Sequence, residues 1–115
     1  MDVQFRKYEL VLVNLDPSVG AEIKKKRPCL IVSPDEINRC LQTVIVAPLT
    51  STLPRTLPTR VLIKADNGSE LLNDSYAVLD QIKTVDKTRI FGTLGMISDA
   101  ERRSVTAVLE EMFEY

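Results

Sequence analysis

The chain contains no histidine and no tryptophan, and it has only two cysteines, Cys29 and Cys40, among its 115 residues. Hydrolases built on a Ser-His-Asp or Cys-His arrangement are excluded, because they need a histidine base. The usual zinc sites need three or four cysteine and histidine ligands, so we predict no metal site, and we predict no other cofactor. The two cysteines are expected to be small core or half-buried residues. Any catalysis must then use carboxylates, Lys, Arg, Tyr, Ser or Thr.

Long apolar runs and an excess of either charge are also missing. No run approaches the roughly 20 residues of a membrane-spanning helix, and residues 1–6 do not resemble a signal peptide. We therefore expect a cytoplasmic protein with no membrane partner. The 15 Lys and Arg residues balance 16 Asp and Glu residues, so a nucleic-acid site would require local segregation of charge.

The composition is that of a globular domain, with 44% hydrophobic and 27% charged residues. A chain of this length fits one core, so we predict a single domain over residues 1–115. Short apolar runs bounded by turn residues predict strands or extended segments. These segments are Tyr8–Leu15, Pro28–Ser33, Thr43–Thr50, Thr59–Lys64, Asp74–Ile82 and Ile90–Leu94.

Two capping-box motifs predict helices. Ser33–Glu36, with proline at the first helical position, predicts one or two turns to about Arg39. Ser98–Glu101 precedes apolar residues at helical spacing and predicts an amphipathic C-terminal helix. The apolar face of that helix consists of Val105, Val108, Leu109, Met112 and Phe113. Short strands with one terminal helix favour a mainly β fold, a small bent sheet or barrel capped by that helix.

The most basic segment, Lys24–Arg27, runs directly into Pro28. Proline lacks an amide donor, so Pro28 is expected at the start of its strand, and it favours extended geometry for Arg27. A cation held on a rigid element suits a binding site better than one in a flexible loop. The cluster therefore indicates a phosphate-binding site.

Antiparallel pairing of Pro28–Ser33 with Thr43–Thr50 would bring Arg27 to the rim of the sheet that holds Thr50. If Ser33 pairs with Thr43, Arg27 lies opposite Leu49, and a slip of register would change this placement. The guanidinium and the hydroxyl would then converge near Glu22 and the lysines.

Each of these features also has an ordinary structural interpretation. A lysine-rich loop is more often solvated surface than a site. Thr50 could bond its own backbone, and Glu22 could be a counter-charge to the lysines. Gln81 could be an edge residue. No single feature is specific.

Together, the segments resemble the MazF/PemK family of toxin endoribonucleases, which belong to type II toxin–antitoxin systems. The matching segments are Asn14–Pro17 running into Gly20–Ile23, then Arg27–Val32, Asn38, Val44–Ser51 and Asp80–Ile90. The resemblance spans nearly the whole chain in the right order. Ile23 stands where the family commonly has glutamine, so loop contacts to RNA are expected to differ.

The resemblance implies an SH3-like barrel of the CcdB/PemK-like toxin fold and a homodimer. It also implies a cognate antitoxin with a disordered C-terminal tail, and cleavage of single-stranded RNA at preferred sequences without a metal. It assigns the catalytic roles to Arg27, Thr50 and Glu22. Candidate RNA-binding residues are Lys24, Lys25, Lys26, Ser51 and Gln81.

Attack by the RNA 2′-hydroxyl would leave a 2′,3′-cyclic phosphate and a 5′-hydroxyl. Arg27 can stabilise the phosphorane, and Thr50 can donate a hydrogen bond to a phosphate oxygen. Glu22 is a candidate base on chemical grounds, and the arginine could assist proton transfer instead. Two other functions stay open, because a fold does not choose its function. They are a non-catalytic SH3-like binding module and a CcdB-like poison of DNA gyrase.

Overall fold

Antiparallel strands and a C-terminal helix make up this computed structural model, which describes residues 4–52 and 57–115. The elements in these ranges are β1 (Glu9–Asn14), β2 (Lys26–Ile31), α1 (Asp35–Cys40), β3 (Thr43–Thr50), β4 (Arg60–Ile63), β5 (Ser75–Val78), β6 (Lys83–Asp86), β7 (Ile90–Met96) and α2 (Asp99–Met112). Two 3₁₀ helices, Leu79–Gln81 and Lys87–Arg89, flank β6. Part of the predicted loop Ser51–Pro58, residues 53–56, lies outside the described residues.

The strands form one sheet in the order β4-β5-β3-β2-β1-β7, and β6 also pairs with β3. Alternate side chains of a strand face opposite sides. Leu10 of β1 therefore joins the first core cluster, which also contains Leu79 and Val105. Val11 and Val13 join the second cluster. The amide of Glu70 donates to the carbonyl of Leu94 at 2.7 Å, which joins the segment between β4 and β5 to β7 at the other end of the strand order.

Helix α2 covers the first cluster and confirms the predicted mainly β architecture with a C-terminal helix. Val105 is fully buried, and Val108, Leu109 and Met112 pack against the cluster. Phe113 is 68% exposed, so its predicted place on the apolar face is wrong. Phe113 follows the last residue of α2 and does not pack against the first cluster.

The Ser98 capping box is confirmed. The Ser98 hydroxyl accepts from the Glu101 amide at 3.2 Å, and Glu101 Oε1 accepts from the Ser98 amide at 3.0 Å. Glu101 Oε2 accepts from the Lys64 amide at 2.8 Å, so the same residue ties α2 to the end of β4. No helix within residues 4–52 or 57–115 has the length and apolar content needed to cross a bilayer.

The predicted capping box at Ser33 is wrong. Helix α1 follows Pro34 as its N-cap, and no side chain caps it. Ser33 is buried instead; its hydroxyl donates to Asn38 Oδ1 and accepts from the Ile45 amide at 3.0 Å. Because these bonds hold Ser33 between α1 and β3, its hydroxyl does not reach the first turn.

The predicted limits and register of β2 also need correction. Pairing with β1 extends to Asn14–Lys26, so Pro28 is the third residue of β2 and not the first. Cys29 pairs with Pro48 of β3, one residue away from the predicted register. The register is constant along the ladder, and the Val32 amide continues it by donating to the Ile45 carbonyl at 2.9 Å.

The sequence pattern does not predict strand β6. It predicts residues 84–89 only as a polar connection. A single buried residue, Val85, faces the core, so its alternation is too short to recognise. The extended segment predicted over Asp74–Ile82 ends as a strand at Val78 and continues as a 3₁₀ helix. Cys29 is buried as expected, whereas Cys40 is exposed.

Candidate active site

Arg27 is half-buried in β2, and backbone carbonyls on two sides fix its guanidinium. Its Nε donates to the carbonyl of Lys24 at 2.9 Å, and its Nη1 donates to the carbonyl of Leu49 at 3.1 Å. A guanidinium has five N–H groups. Three of them make no hydrogen bond to the described residues, so they are available to an anion such as a phosphate.

Pro28 explains why the Leu49 carbonyl is free to accept from Arg27. The ladder between β2 and β3 ends at Cys29–Pro48, and continuing its register would set Pro28 opposite Leu49. Proline has no N–H to donate there. The carbonyl, left without a backbone donor, accepts from the side chain one residue earlier in β2.

Thr50 is the last residue of β3 and pairs with Tyr76 of β5. It directly follows Leu49, so the hydrogen bond of Arg27 ends one residue from Thr50. The Thr50 hydroxyl accepts from the Thr52 amide at 3.2 Å and makes only a long 3.4 Å contact to the Thr52 carbonyl. Arg27 and Thr50 thus lie at the same rim of the sheet, as predicted. The Thr50 hydroxyl is also hydrogen-bonded within its own turn.

The loop between β1 and β2 carries Glu22. Its Oε1 accepts from the Val19 amide at 2.9 Å, and its own amide donates to the Val19 carbonyl at 3.1 Å. Glu22 is exposed, and its Oε2 makes no hydrogen bond to the described residues. Oε1 therefore stabilises the turn, and Oε2 makes none of these bonds.

The three lysines are all exposed. Lys25 has a φ of 73°, an unusual left-handed conformation for a non-glycine residue, and its amide donates to Asp16 Oδ1 at 3.0 Å. Lys26 Nζ lies 5.6 Å from the ring centroid of the half-exposed Phe91. The three lysines therefore form an exposed cluster of positive charge next to Arg27.

Gln81 holds the tip of the same loop, residues 19–23. Its Oε1 accepts from the Ile23 amide at 2.8 Å, and its Nε2 donates to the Ala21 carbonyl at 3.4 Å. The sequence indicates Gln81 as an RNA contact, and it gives no sign of this bond across 58 residues of chain.

Arg89 also supports the site, and the sequence does not indicate this role. Its Nη1 donates to the carbonyl of Asp16 at 2.6 Å and to that of Asn14 at 3.3 Å, which fixes the base of the loop. The nearby Asp86 caps the 3₁₀ helix that carries Arg89. The Thr88 amide, and next its hydroxyl, hold the pKa of Asp86 below its usual value. The sequence signal for this 3₁₀ helix is the Asp86-Lys87-Thr88 capping pattern.

Two grooves lie at this rim. The smaller, of about 380 Å³, has Glu22 and Gln81 among its lining residues. The larger, of about 580 Å³, is lined by polar residues that include Arg27, Ser51 and Glu70, together with apolar side chains. Glu22 and Arg27 do not share a groove in the described part of the chain. The structure therefore places Arg27 and Ser51 in one groove, with Thr50 directly before Ser51 at the end of β3, and places Glu22 and Gln81 in the other groove.

Buried Cys29 is the closest thiol to the site. Burial raises its pKa to about 12, and the positive charges of Arg27 and Lys83 oppose this only in part. No three Cys, Asp or Glu side chains of the described ranges lie close enough together to hold a metal ion.

Residues 6–113 match the family model described as PemK-like, MazF-like toxin of type II toxin–antitoxin system. The chain belongs to this family. The endoribonuclease MazF of Staphylococcus saprophyticus subsp. saprophyticus is 33% identical over 106 residues, which cover 91% of this chain and 88% of that protein. The resemblance seen in the sequence is therefore confirmed.

Solved structures agree with the fold of this MazF-like chain. A crystal structure of MazF from Deinococcus radiodurans has a TM-score of 0.83 at 23% identity, covering 99% of this chain and 100% of that one. An endoribonuclease in complex with its cognate antitoxin, from mycobacterial species, has a TM-score of 0.75 at 24% identity, covering 92% and 91%. At these identities the likeness establishes the shared fold alone.

Proposed function

We propose that this MazF-like chain is an endoribonuclease toxin that cleaves single-stranded RNA at preferred sequences and without a metal. The observation that carries the proposal is the geometry of Arg27. Two backbone carbonyls fix its guanidinium beside Thr50, and three N–H groups stay available for a phosphate. Membership of a family with endoribonuclease relatives supports the same activity.

In the proposed reaction the 2′-hydroxyl loses its proton and attacks the adjacent phosphorus. The bond from phosphorus to the 5′-oxygen breaks, and that oxygen takes up a proton as it leaves. The products are a 2′,3′-cyclic phosphate and a 5′-hydroxyl. Arg27 donates to the non-bridging oxygens, where negative charge develops. The Thr50 hydroxyl exchanges its long contact to Thr52 for a phosphate oxygen.

Glu22 is the proposed base, acting through its second carboxylate oxygen. Because Glu22 and Arg27 line different grooves, the RNA has to lie across the boundary between the two. Ser51 in the larger groove is the proposed side-chain contact along this path, while the Gln81 amide in the smaller groove is bonded to the loop between β1 and β2. Lys24, Lys25 and Lys26 would attract the RNA backbone.

The proposal includes two protein partners. An antitoxin tail that mixes acidic and hydrophobic residues would suit the larger groove, where Arg27 lies beside apolar residues such as Leu49 and Leu94. A second copy of the chain would extend the short groove across two loops. The solved complex of a structurally similar endoribonuclease with its antitoxin supports the first partner.

The test is to incubate the purified protein with a defined RNA in the presence of a chelator and to map the ends of the products. We expect cleavage at a few sites, with cyclic or 3′-phosphate on the upstream fragment and a 5′-hydroxyl on the downstream one. Chelator-sensitive cleavage that leaves 5′-phosphates would refute the mechanism. RNA binding without turnover would favour a binding module, and gyrase arrest without RNA cleavage would favour a gyrase poison.

The partners have tests of their own. Co-expression with the adjacent small open reading frame should give a complex and relieve toxicity. Sedimentation should give a dimer at micromolar concentration. A fully active monomer would contradict the dimer.

A further inference from the structure

Gln81 lies where strand β3 changes partners. β6 pairs with β3 up to Val46–Lys83, and continuing that register would set Pro48 opposite Gln81. Pro48 has no amide to donate, so the ladder stops there. Beyond this break β3 pairs with β5, starting at Leu49. The break leaves space for the 3₁₀ helix that ends in Gln81.

This 3₁₀ helix is a rigid support for Gln81. Leu79 is fully buried in the first core cluster. Asp80 Oδ1 accepts from the Thr59 hydroxyl at 2.9 Å and lies 3.7 Å from Arg60 Nε. The side chain of Gln81 therefore projects from an anchored element towards the loop between β1 and β2.

The two bonds from Gln81 are the hydrogen bonds that join the loop tip to another part of the described fold. Other bonds of the tip stay inside the loop, such as those between Val19 and Glu22. The bonds from Arg89 reach only the base of the loop, at Asn14 and Asp16. Release of Gln81 would thus leave the tip without a hydrogen bond to the rest of the described fold.

The bond to Ile23 lies one residue from a support of Arg27. Ile23 precedes Lys24, whose carbonyl accepts from Arg27 Nε at 2.9 Å. A shift of the tip would therefore move the carbonyl that orients the guanidinium. Small displacements of a positioned group have large effects on rate.

We propose that Gln81 is a positioning residue whose amide holds the tip of the β1–β2 loop closed before RNA arrives, and through Lys24 fixes the orientation of Arg27. This inference rests on the proposed function for its role in catalysis. Its structural part, the effect on Ile23 and Arg27, is measurable without RNA.

Two substitutions separate the parts of this contact, and a third serves as the control. Gln81→Met keeps a long side chain and removes both hydrogen bonds. Gln81→Glu keeps an acceptor for the Ile23 amide and loses the donor to Ala21, unless the carboxyl is protonated at a pH below its ordinary pKa of about 4.3. Gln42→Ala is the control, because Gln42 is an exposed glutamine that lines a different cavity, beside Arg39 and Lys87.

The first measurement is NMR hydrogen exchange on the RNA-free protein. In Gln81→Met we expect the Ile23 amide and the Arg27 Nε–H to exchange about tenfold faster, which corresponds to the loss of an ordinary hydrogen bond. Gln42→Ala should match the wild type. In Gln81→Glu the Ile23 amide should stay protected near neutral pH, because the carboxylate still accepts from it. Unchanged exchange at Ile23 and Arg27 in Gln81→Met would overturn the proposal.

The second measurement is steady-state cleavage of a defined RNA. A positioning role predicts that Gln81→Met lowers kcat about tenfold, leaves KM nearly unchanged and keeps the same cut sites. A raised KM with altered cut sites, and unchanged exchange, would make Gln81 a direct RNA contact and reject the positioning role. If the wild type cuts no RNA, the proposed function fails, while the exchange data still decide whether Gln81 orients Arg27.

Discussion

Arg27 Nη1 and the carbonyl oxygen of Leu49 are 3.1 Å apart, and the bond they form crosses from β2 to β3 beyond the end of their ladder. The bond takes the place of a backbone bond that Pro28 cannot make. The orientation of Arg27 therefore depends on backbone carbonyls, and it needs no carboxylate partner among the described residues.

Replacing Arg27 tests whether it stabilises the transition state. Arg27→Ala should lower the single-turnover rate on RNA by on the order of a hundred- to a thousand-fold, or about 3–4 kcal/mol, by analogy with loss of one oxyanion donor. Arg27→Lys should restore little, because an ammonium lacks the planar fork. Circular dichroism must show a folded variant. A folded Arg27→Ala protein that cuts at near wild-type rate would contradict the assignment.

Replacing Pro28 tests how Arg27 is positioned. Pro28→Ala supplies an N–H that can donate to the Leu49 carbonyl and displace Arg27 Nη1. We expect the free energy of unfolding to stay within about 1 kcal/mol, because one hydrogen bond is gained as another is lost. The value of kcat should still fall on the order of tenfold. Pro34→Ala, at the exposed N-cap of α1, is the control for the loss of a proline ring. Equal kcat in both variants would argue against this role of Pro28.

Replacing the exposed lysines tests the proposed RNA path. Lys24→Ala and Lys25→Ala should each weaken RNA binding and lower the slope of log affinity against log salt by about 0.7. The rate at saturating RNA should change little, because the proposal assigns these side chains to the RNA backbone and the reacting phosphate to Arg27. Arg103→Ala removes an exposed charge from α2 and serves as the control. Binding titrations at several salt concentrations give both quantities, and an unchanged slope would remove the lysines from the RNA path.

Replacing Asp86 gives a pH-dependent effect on stability. The bonds from Thr88 lower the pKa of the folded Asp86 carboxyl relative to the unfolded chain. Its stabilising contribution is therefore present above the unfolded value of about 3.9 and is lost as the pH falls through the folded pKa. Asp86→Asn keeps an acceptor but not the charge. In urea titrations the wild type should be more stable at about pH 6, and the difference should shrink below about pH 4. A difference independent of pH would contradict this.

Local patterns predicted several parts of the fold. The Ser98 capping box is a contact between residues three apart, so its sequence is enough to identify it. Most of the strands that build the sheet were predicted from their apolar runs. The Arg-Pro pair indicated a fixed cation because proline acts on its direct neighbour.

The parts that could not be predicted depend on contacts between distant residues. The register of β2 on β3 differs by one residue from the predicted one, and Ser33 bonds to Asn38 and Ile45 in place of the capping box that its sequence suggests. Gln81 and Arg89 reach the loop across more than fifty residues of chain. Nothing in their immediate sequence specifies such partners, so they become visible only when the sheet is assembled.

The burial of Cys29 separates the site from thiol chemistry. With a pKa of about 12, on the order of 10⁻⁵ of this thiol is ionised at pH 7, and the thiolate is the reactive form. Cys40 is exposed and lines a cavity that contains neither Arg27 nor Glu22. A maleimide dye should therefore attach at Cys40 and leave the rim around Arg27 unmodified, which provides a fluorescent reporter that requires no engineered cysteine.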